Sequence, residues 1–245
     1  MGTAFNNTHR YFTQFMLSNG IVTLDNAMKF FEEISPERNT LAFLKTLVIE
    51  INREICKQSF KIATTICEIT GDKVFVWLNT KSDELSRLQV GFSAVELEYF
   101  HAILQEIVTS DDHTIQYPRA INIASTLTAT LSRDNGEKAL IRWIKGGYYV
   151  KQDERVFLGP RTILEFTTFL RTNTENCSCD LCSELVFVGE TCNSCSKTFH
   201  KLCINKYLQN QQSCPSCRNT WGDPNSTMDV DSDADPRPSR RRRHN

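Results

Sequence analysis

Between Cys179 and Cys217 seven cysteines and one histidine follow the order Cys-x₂-Cys-x₉-Cys-x₂-Cys-x₄-His-x₂-Cys-x₁₀-Cys-x₂-Cys. A pair of donors separated by two residues presents both to one point in space. Zn²⁺ takes four such soft or borderline donors in a tetrahedron. Eight donors therefore make two closed sites, structural ones with no position left for water. A segment of about forty residues is too short to fold on its own apolar core. Metal binding, worth on the order of 10 kcal/mol per structural zinc, supplies what the core cannot.

Disulfides are the other use of clustered cysteines. The stretch Met1–Thr13 lacks a basic-then-apolar secretory pattern, and no run of about twenty apolar residues suggests a membrane span. An intracellular, reducing compartment is expected, with no membrane contact, so metal is favoured over disulfides. Cys177 lies outside the spacing and reads as a bystander, while Cys56 and Cys67 sit in apolar patterns and read as small core residues.

Two pairings suit the ligand order. In a cross-brace, Cys179, Cys182, His200 and Cys203 hold one zinc, and Cys192, Cys195, Cys214 and Cys217 hold the other. The alternative is two ribbons in series, split between Cys195 and His200. The cross-brace is the expected arrangement, since interleaving ties both ends of the segment to its middle.

Upstream, two stretches share one plan. In the first, Tyr11, Phe12, Phe15 and Met16 form an apolar stripe. Thr23 is a candidate N-cap for a helix carrying Leu24, Ala27, Met28 and Phe31, and Leu41, Leu44, Val48, Ile51 and Ile55 make a third helix. The period then falls to two over Phe60–Ile66 and Val74–Leu78, with a tight Thr70-Gly71-Asp72-Lys73 turn between them. In the second, Ser93-x-x-Glu96 is a capping box ahead of Leu97, Phe100, Leu104 and Ile107. Another helix starts near Pro118, and Asn135-Gly136 signals a turn. A helix with Leu140, Ile141 and Ile144 follows and stops at Gly146-Gly147. Tyr148–Val150 and Val156–Leu158 form a short hairpin, and a last helix carries Ile163, Phe166, Thr167 and Leu170.

Three helices and a β-hairpin, twice, is the winged-helix plan. The expected fold class is α+β, with winged-helix domains over 1–90 and 91–172, a zinc finger over 177–221 and a disordered tail over 222–245. That tail runs through Asp229, Asp231, Asp233 and Asp235 to Arg240–Arg243, with too little apolar surface to order itself. The arginine run is a nuclear-import signal, a nucleic-acid contact or a solvated end.

A winged helix that reads DNA puts its third helix in the major groove. Lys45, Arg53 and Lys57 share the first such helix with Glu50 and Glu54; Lys138, Arg142 and Lys145 share the second with Glu137. Neither is a strong basic patch, and the net charge is −1. Protein contact is expected of these helices, with DNA contact weak for the chain alone.

The finger resembles RING-variant and PHD fingers. Gln212 stands where a PHD finger carries tryptophan two residues before its seventh ligand. Leu181, Tyr207 and Pro215 match positions where RING ligases touch a ubiquitin-conjugating enzyme, and Arg218 matches the arginine that grips ubiquitin. Each also has a bland reading, as local core or a solvated charge.

The chain over about residues 1–222 resembles the non-SMC element 1 family. The likeness rests on His9-Arg10-Tyr11-Phe12-Thr13-Gln14, Gly20-Ile21-Val22, the Gly159-Pro160-Arg161 turn and the closing cysteine and histidine series. It implies a subunit of the SMC five-six complex, chromosome-associated in the nucleus and used in recombinational repair. It also implies docking on the MAGE-homology subunit, non-SMC element 3, and ubiquitin-ligase activity that depends on that partner. Such a ligase needs two structural Zn²⁺ and a conjugating enzyme, and no catalytic nucleophile. The rival readings are a non-enzymatic scaffold and a winged-helix DNA-binding regulator.

Overall fold

The computed structural model describes residues 5–81, 91–175 and 177–222. The acidic and arginine-rich tail expected to be disordered lies outside them. The protein is a mixed α+β chain whose first two segments each contain three main helices and a three-stranded antiparallel sheet.

The first segment opens with α1 (Asn7–Asn19), capped by Asn6. Its side chain accepts from the His9 backbone, and the His9 ring accepts from the Asn6 backbone. β1 (Ile21–Thr23) leads into α2 (Leu24–Ile34), and Thr23 caps it through Asn26 N. Next come α3 (Leu41–Ile55), capped by Thr40, then β2 (Phe60–Ile66) and β3 (Lys73–Asn79). The sheet order is β1-β3-β2. Its core joins Phe12, Met16, Phe31, Leu44, Val48 and Ile51 to Ile62, Phe75 and Trp77.

The β2–β3 connection is longer than a tight two-residue turn. Ile66 is the last residue paired, with Lys73, and Cys67 N donates to Asp72 O at 2.9 Å, which sets Glu68–Gly71 beyond the sheet. That projection places Glu68 near the finger. Cys67 is buried, but Cys56 is exposed, against expectation. Cys56 follows the last turn of α3, where the chain turns away from the core through Ser59 in a left-handed conformation.

In the second segment α4 (Ala94–Thr109) starts at the Ser93/Glu96 capping box. β4 (Thr114–Gln116), α5 (Tyr117–Ile123), α6 (Arg133–Lys145), β5 (Tyr149–Gln152) and β6 (Arg155–Leu158) follow, with sheet order β4-β6-β5. Asn135-Gly136 is no turn: both residues lie in α6, which is capped by Ser132. Glycine serves close packing there, because a Cβ on Gly136 would lie 2.6 Å from Ala124 Cβ. Ile141 is 41 % exposed, and Trp143 takes the core beside Leu140, packed among Tyr99, Phe100 and Tyr149. The expected last helix is two, α7 (Pro160–Glu165) and α8 (Thr167–Asn173), because Phe166 leaves helical geometry at φ −105° and ψ 22° while its ring stays buried.

The two segments meet across β3 and α7. Val74, Val76 and Leu78 pack with Ile21, Ala63 and Leu164. Glu165, fully buried, accepts from Asn79 N and from Arg161 Nε, both at 3.1 Å. Among the described residues no helix is long and apolar enough to cross a membrane.

Candidate metal centre

The finger contains little regular structure: a short ladder of β7 (Glu190–Thr191) and β8 (Thr198–Phe199), then α9 (Lys201–Leu208). Its order comes from three repeats of one turn. In each Cys-x-x-Cys pair the first cysteine's carbonyl accepts an N–H from the residue after the second cysteine. These are Ser183 to Cys179 at 2.7 Å, Ser196 to Cys192 at 2.9 Å and Arg218 to Cys214 at 3.0 Å. Those three residues are left-handed, with φ of 63°, 56° and 63°. The first cysteine's N–H returns to Glu184 O, Lys197 O or Asn219 O. The turn folds both side chains of the pair to one side. The fourth pair, His200 and Cys203, spans the first turn of α9, where three residues of separation again share a face.

These turns bring together Cys179, Cys182, His200 and Cys203 in one group, and Cys192, Cys195, Cys214 and Cys217 in another. Donor atoms within each group lie within 4.8 Å of one another. The grouping is interleaved, not serial. Zn–S bonds of about 2.3 Å in a tetrahedron require S···S edges of about 3.8 Å. The Cys192–Cys217 and Cys195–Cys214 sulfurs are each 3.8 Å apart. In the other group the mixed S···N edge for bonds of about 2.3 and 2.05 Å is about 3.6 Å; His200 Nδ1 lies 3.3 Å from Cys182 Sγ and 3.9 Å from Cys203 Sγ. Both groups are compatible with zinc, and the same chemistry makes them poor company for one another without a cation. Burial raises Cys179, yet backbone N–H groups of His200, Leu181 and Cys182 outweigh it and bring the thiol down to about 7. Burial and the neighbouring Cys182 and Cys179 push Cys203 up to about 12. The second group splits likewise: burial raises Cys192, but backbone N–H groups of Cys195 and Ser194 outweigh it and bring that thiol down to about 7, while burial pushes Cys195 up to about 12.

The finger is not a free appendage. Leu185 and Phe187, between its first two cysteine pairs, are buried in the second segment's core. Glu68 crosses from the first segment. Its Oε2 accepts the backbone N–H groups of Phe187 and Val188 at 3.1 and 2.9 Å, and its Oε1 lies 3.2 Å from His200 Nε2. No motif marks Glu68; only its place on a projecting turn, known from the fold, reveals it.

Of the other singled-out residues, Leu181 and Tyr207 are half-buried against the finger's core, Pro215 is half-buried and Arg218 is exposed. Asp180, hydrogen-bonded by Ser216 Oγ, joins the first cysteine turn to the last, so the turns bearing Leu181 and Pro215 are neighbours. Cys177 belongs to neither group; burial raises its thiol, which lies 3.4 Å from His113 Nε2.

Fold and donor groups together define an α+β protein with a C-terminal RING-like zinc-binding region. Residues 179–217 match the RING-like domain model, and residues 9–166 match the model described as Nse1 non-SMC component of SMC5-6 complex. The chain belongs to the Nse1 family. It is 30 % identical over 185 residues to the non-structural maintenance of chromosomes element 1 homolog of Drosophila melanogaster, covering 74 % of this chain and 79 % of that one. The Bos taurus homolog is 23 % identical, with 96 % and 95 % covered. A chain of a solved Nse1-Nse3-Nse4 complex superposes with a TM-score of 0.75 at 19 % identity, covering 90 % of this chain and 99 % of that chain, a likeness of fold.

Proposed function

We propose that this chain is a RING-type ubiquitin-ligase subunit of the SMC five-six complex, acting in DNA repair by homologous recombination at chromosomes in the nucleus. Cys179, Cys182, His200 and Cys203 would hold one structural zinc, and Cys192, Cys195, Cys214 and Cys217 the other. The observation that carries this reading is the interleaving of the two donor groups, with edges sized for zinc. Bound there, zinc would supply rigidity.

The ligase reading assigns Leu181, Tyr207 and Pro215 to a conjugating enzyme and Arg218 to ubiquitin. A ligase of this kind works by holding a charged enzyme in an attack-ready pose, so its contribution is positioning. No nucleophile is needed, and Cys177 is a poor one, since burial favours its neutral thiol. The hydrogen bond between Asp180 and Ser216 supports the assignment by holding the turns of Leu181 and Pro215 together. The test is ubiquitin transfer by the partner-bound protein. Leu181→Ala and Arg218→Ala should each slow transfer at least several-fold; wild-type rates in both variants would remove this surface. Counting two zinc ions per chain tests the metal assignment separately.

The first two segments read as winged helices, each with three helices and a sheet that places the first strand beside the third. They would dock on the MAGE-homology partner, the Nse3 of the similar solved complex. Protein contact is favoured over DNA because Lys57, Lys138 and Arg142 are paired with Glu54, Asp134 and Glu96. A scaffold reading, in which the finger only stiffens the subunit, draws on the burial of Leu185 and Phe187 in the second segment. No transfer by a zinc-loaded, partner-saturated preparation would favour it.

A further inference from the structure

His200 presents Nδ1 to the sulfurs of Cys182 and Cys203, at 3.3 and 3.9 Å. Its ring hydrogen therefore belongs on Nε2, which faces two acceptors: Leu185 O at 2.9 Å and Glu68 Oε1 at 3.2 Å. A carboxylate on the far nitrogen of a ligating imidazole fixes the tautomer, aims the ring and makes the near nitrogen a stronger donor. Loss of such a partner costs metal sites about 10- to 100-fold in affinity. Glu68 is well placed for the role. Its side chain is 9 % exposed, and its other oxygen is held by Phe187 N and Val188 N at 3.1 and 2.9 Å, so the carboxylate cannot swing away. It comes from the β2–β3 turn of the first segment, not from the finger.

We propose that Glu68 is a positioning residue for the Cys179–Cys182–His200–Cys203 site, so that metal retention by the finger depends on a side chain lent by the first segment. Coupling runs both ways: a filled site holds His200 where Glu68 can reach it, and so fastens the finger to that turn. The second donor group has no histidine and serves as an internal control. The inference rests on the zinc reading of the two groups.

Two variants separate orientation of His200 from simple tethering. Glu68→Gln keeps one oxygen for the Phe187 and Val188 amides but turns an NH₂ group toward the Nε2 hydrogen. Glu68→Ala removes both contacts. The experiment uses the full chain loaded with zinc, stripped by graded chelator competition. Cobalt-substituted protein provides a second readout, because visible absorption distinguishes a three-sulfur, one-nitrogen site from a four-sulfur site. In Glu68→Gln one ion per chain should weaken about tenfold or more, the cobalt spectrum should change only in its sulfur–nitrogen component, and the second ion should stay at wild-type affinity. Two ions at wild-type affinity in Glu68→Gln, with weakening only in Glu68→Ala, would reduce Glu68 to a tether and overturn the proposal. Equal weakening of both ions would also overturn it. A wild-type chain that binds no metal would instead refute the zinc reading itself.

Discussion

Replacing Glu165 by alanine should loosen the first two segments together. The carboxylate is fully buried and takes hydrogen bonds from Arg161 Nε on its own helix and from Asn79 N at the end of β3. The Arg161 side chain is only 16 % exposed, so the variant leaves a nearly buried guanidinium without its counter-charge. Breaking a buried pair from one side costs about 3–5 kcal/mol, and a stranded backbone N–H about 1–3 kcal/mol. The Tyr148 ring, 4.3 Å from the guanidinium, offsets about 1 kcal/mol of this. A net loss of about 3–7 kcal/mol is therefore expected for Glu165→Ala. Glu165→Gln should lose about half as much, since it retains an acceptor for Asn79. Urea unfolding followed by tryptophan fluorescence can test the locality of the effect, because Trp77, Trp143 and Trp221 fall in three different cores. With the other tryptophans changed to phenylalanine, the Trp77 and Trp143 transitions should both shift to lower urea relative to their own backgrounds. A Glu165→Ala shift below about 0.5 kcal/mol, or a shift of the Trp143 transition alone, would refute the claim that this ion pair joins the segments.

Three further outcomes are expected. Gly136→Ala should destabilise the protein by about 1 kcal/mol, measured by chemical denaturation, although alanine is intrinsically better in a helix by a similar amount; the 2.6 Å approach to Ala124 makes overpacking the larger effect. Exhaustive chelation should alter the emission of Trp221, which packs 5.7 Å from Phe199, while far-UV circular dichroism keeps most of the helical signal of the first two segments. Burial raises the Glu96 carboxyl, but hydrogen bonds from Ser93 and Arg142 outweigh it and hold it below the usual range. A depressed folded value stabilises above the unfolded pKa and is lost as pH falls through the folded one. The stability gap between wild type and Glu96→Gln should therefore be widest near pH 6 and shrink on acidification below about pH 4.

Local chemistry was legible wherever one residue type satisfies its neighbours in the chain. Thr23 and the Ser93/Glu96 box could be read as caps because a hydroxyl or carboxylate reaches backbone three residues away whatever the tertiary fold. The three-residue strands β1 and β4 were missed because they exist only by pairing with β3 and β6. Gly136 misled for a related reason. Glycine after asparagine signals a turn on local grounds, and the demand for a side chain without Cβ came from Ala124, on another element.

The donor groups show the same division within one site. Each Cys-x-x-Cys turn is closed by hydrogen bonds within six residues, so spacing alone suggests which side chains converge in pairs. Which pairs then share a group is a tertiary fact, and the spacing left two answers open. The support behind the donors is more remote still. Glu68 lies two residues before the polar stretch Thr70-Gly71-Asp72-Lys73, which reads on local grounds as a tight turn. Its burial comes from the tertiary fold: Leu185, Phe187 and Val188 of the finger pack against the second segment, and the Phe187 and Val188 amides reach its carboxylate. A substitution at Glu68 should therefore look conservative by every local rule and still weaken the finger's hold on metal. The converse also follows: a finger cut away at residue 177 would keep all eight donors and lose the carboxylate that steadies one of them. Such a fragment should bind its two ions with unequal affinity, the histidine-containing group being the weaker.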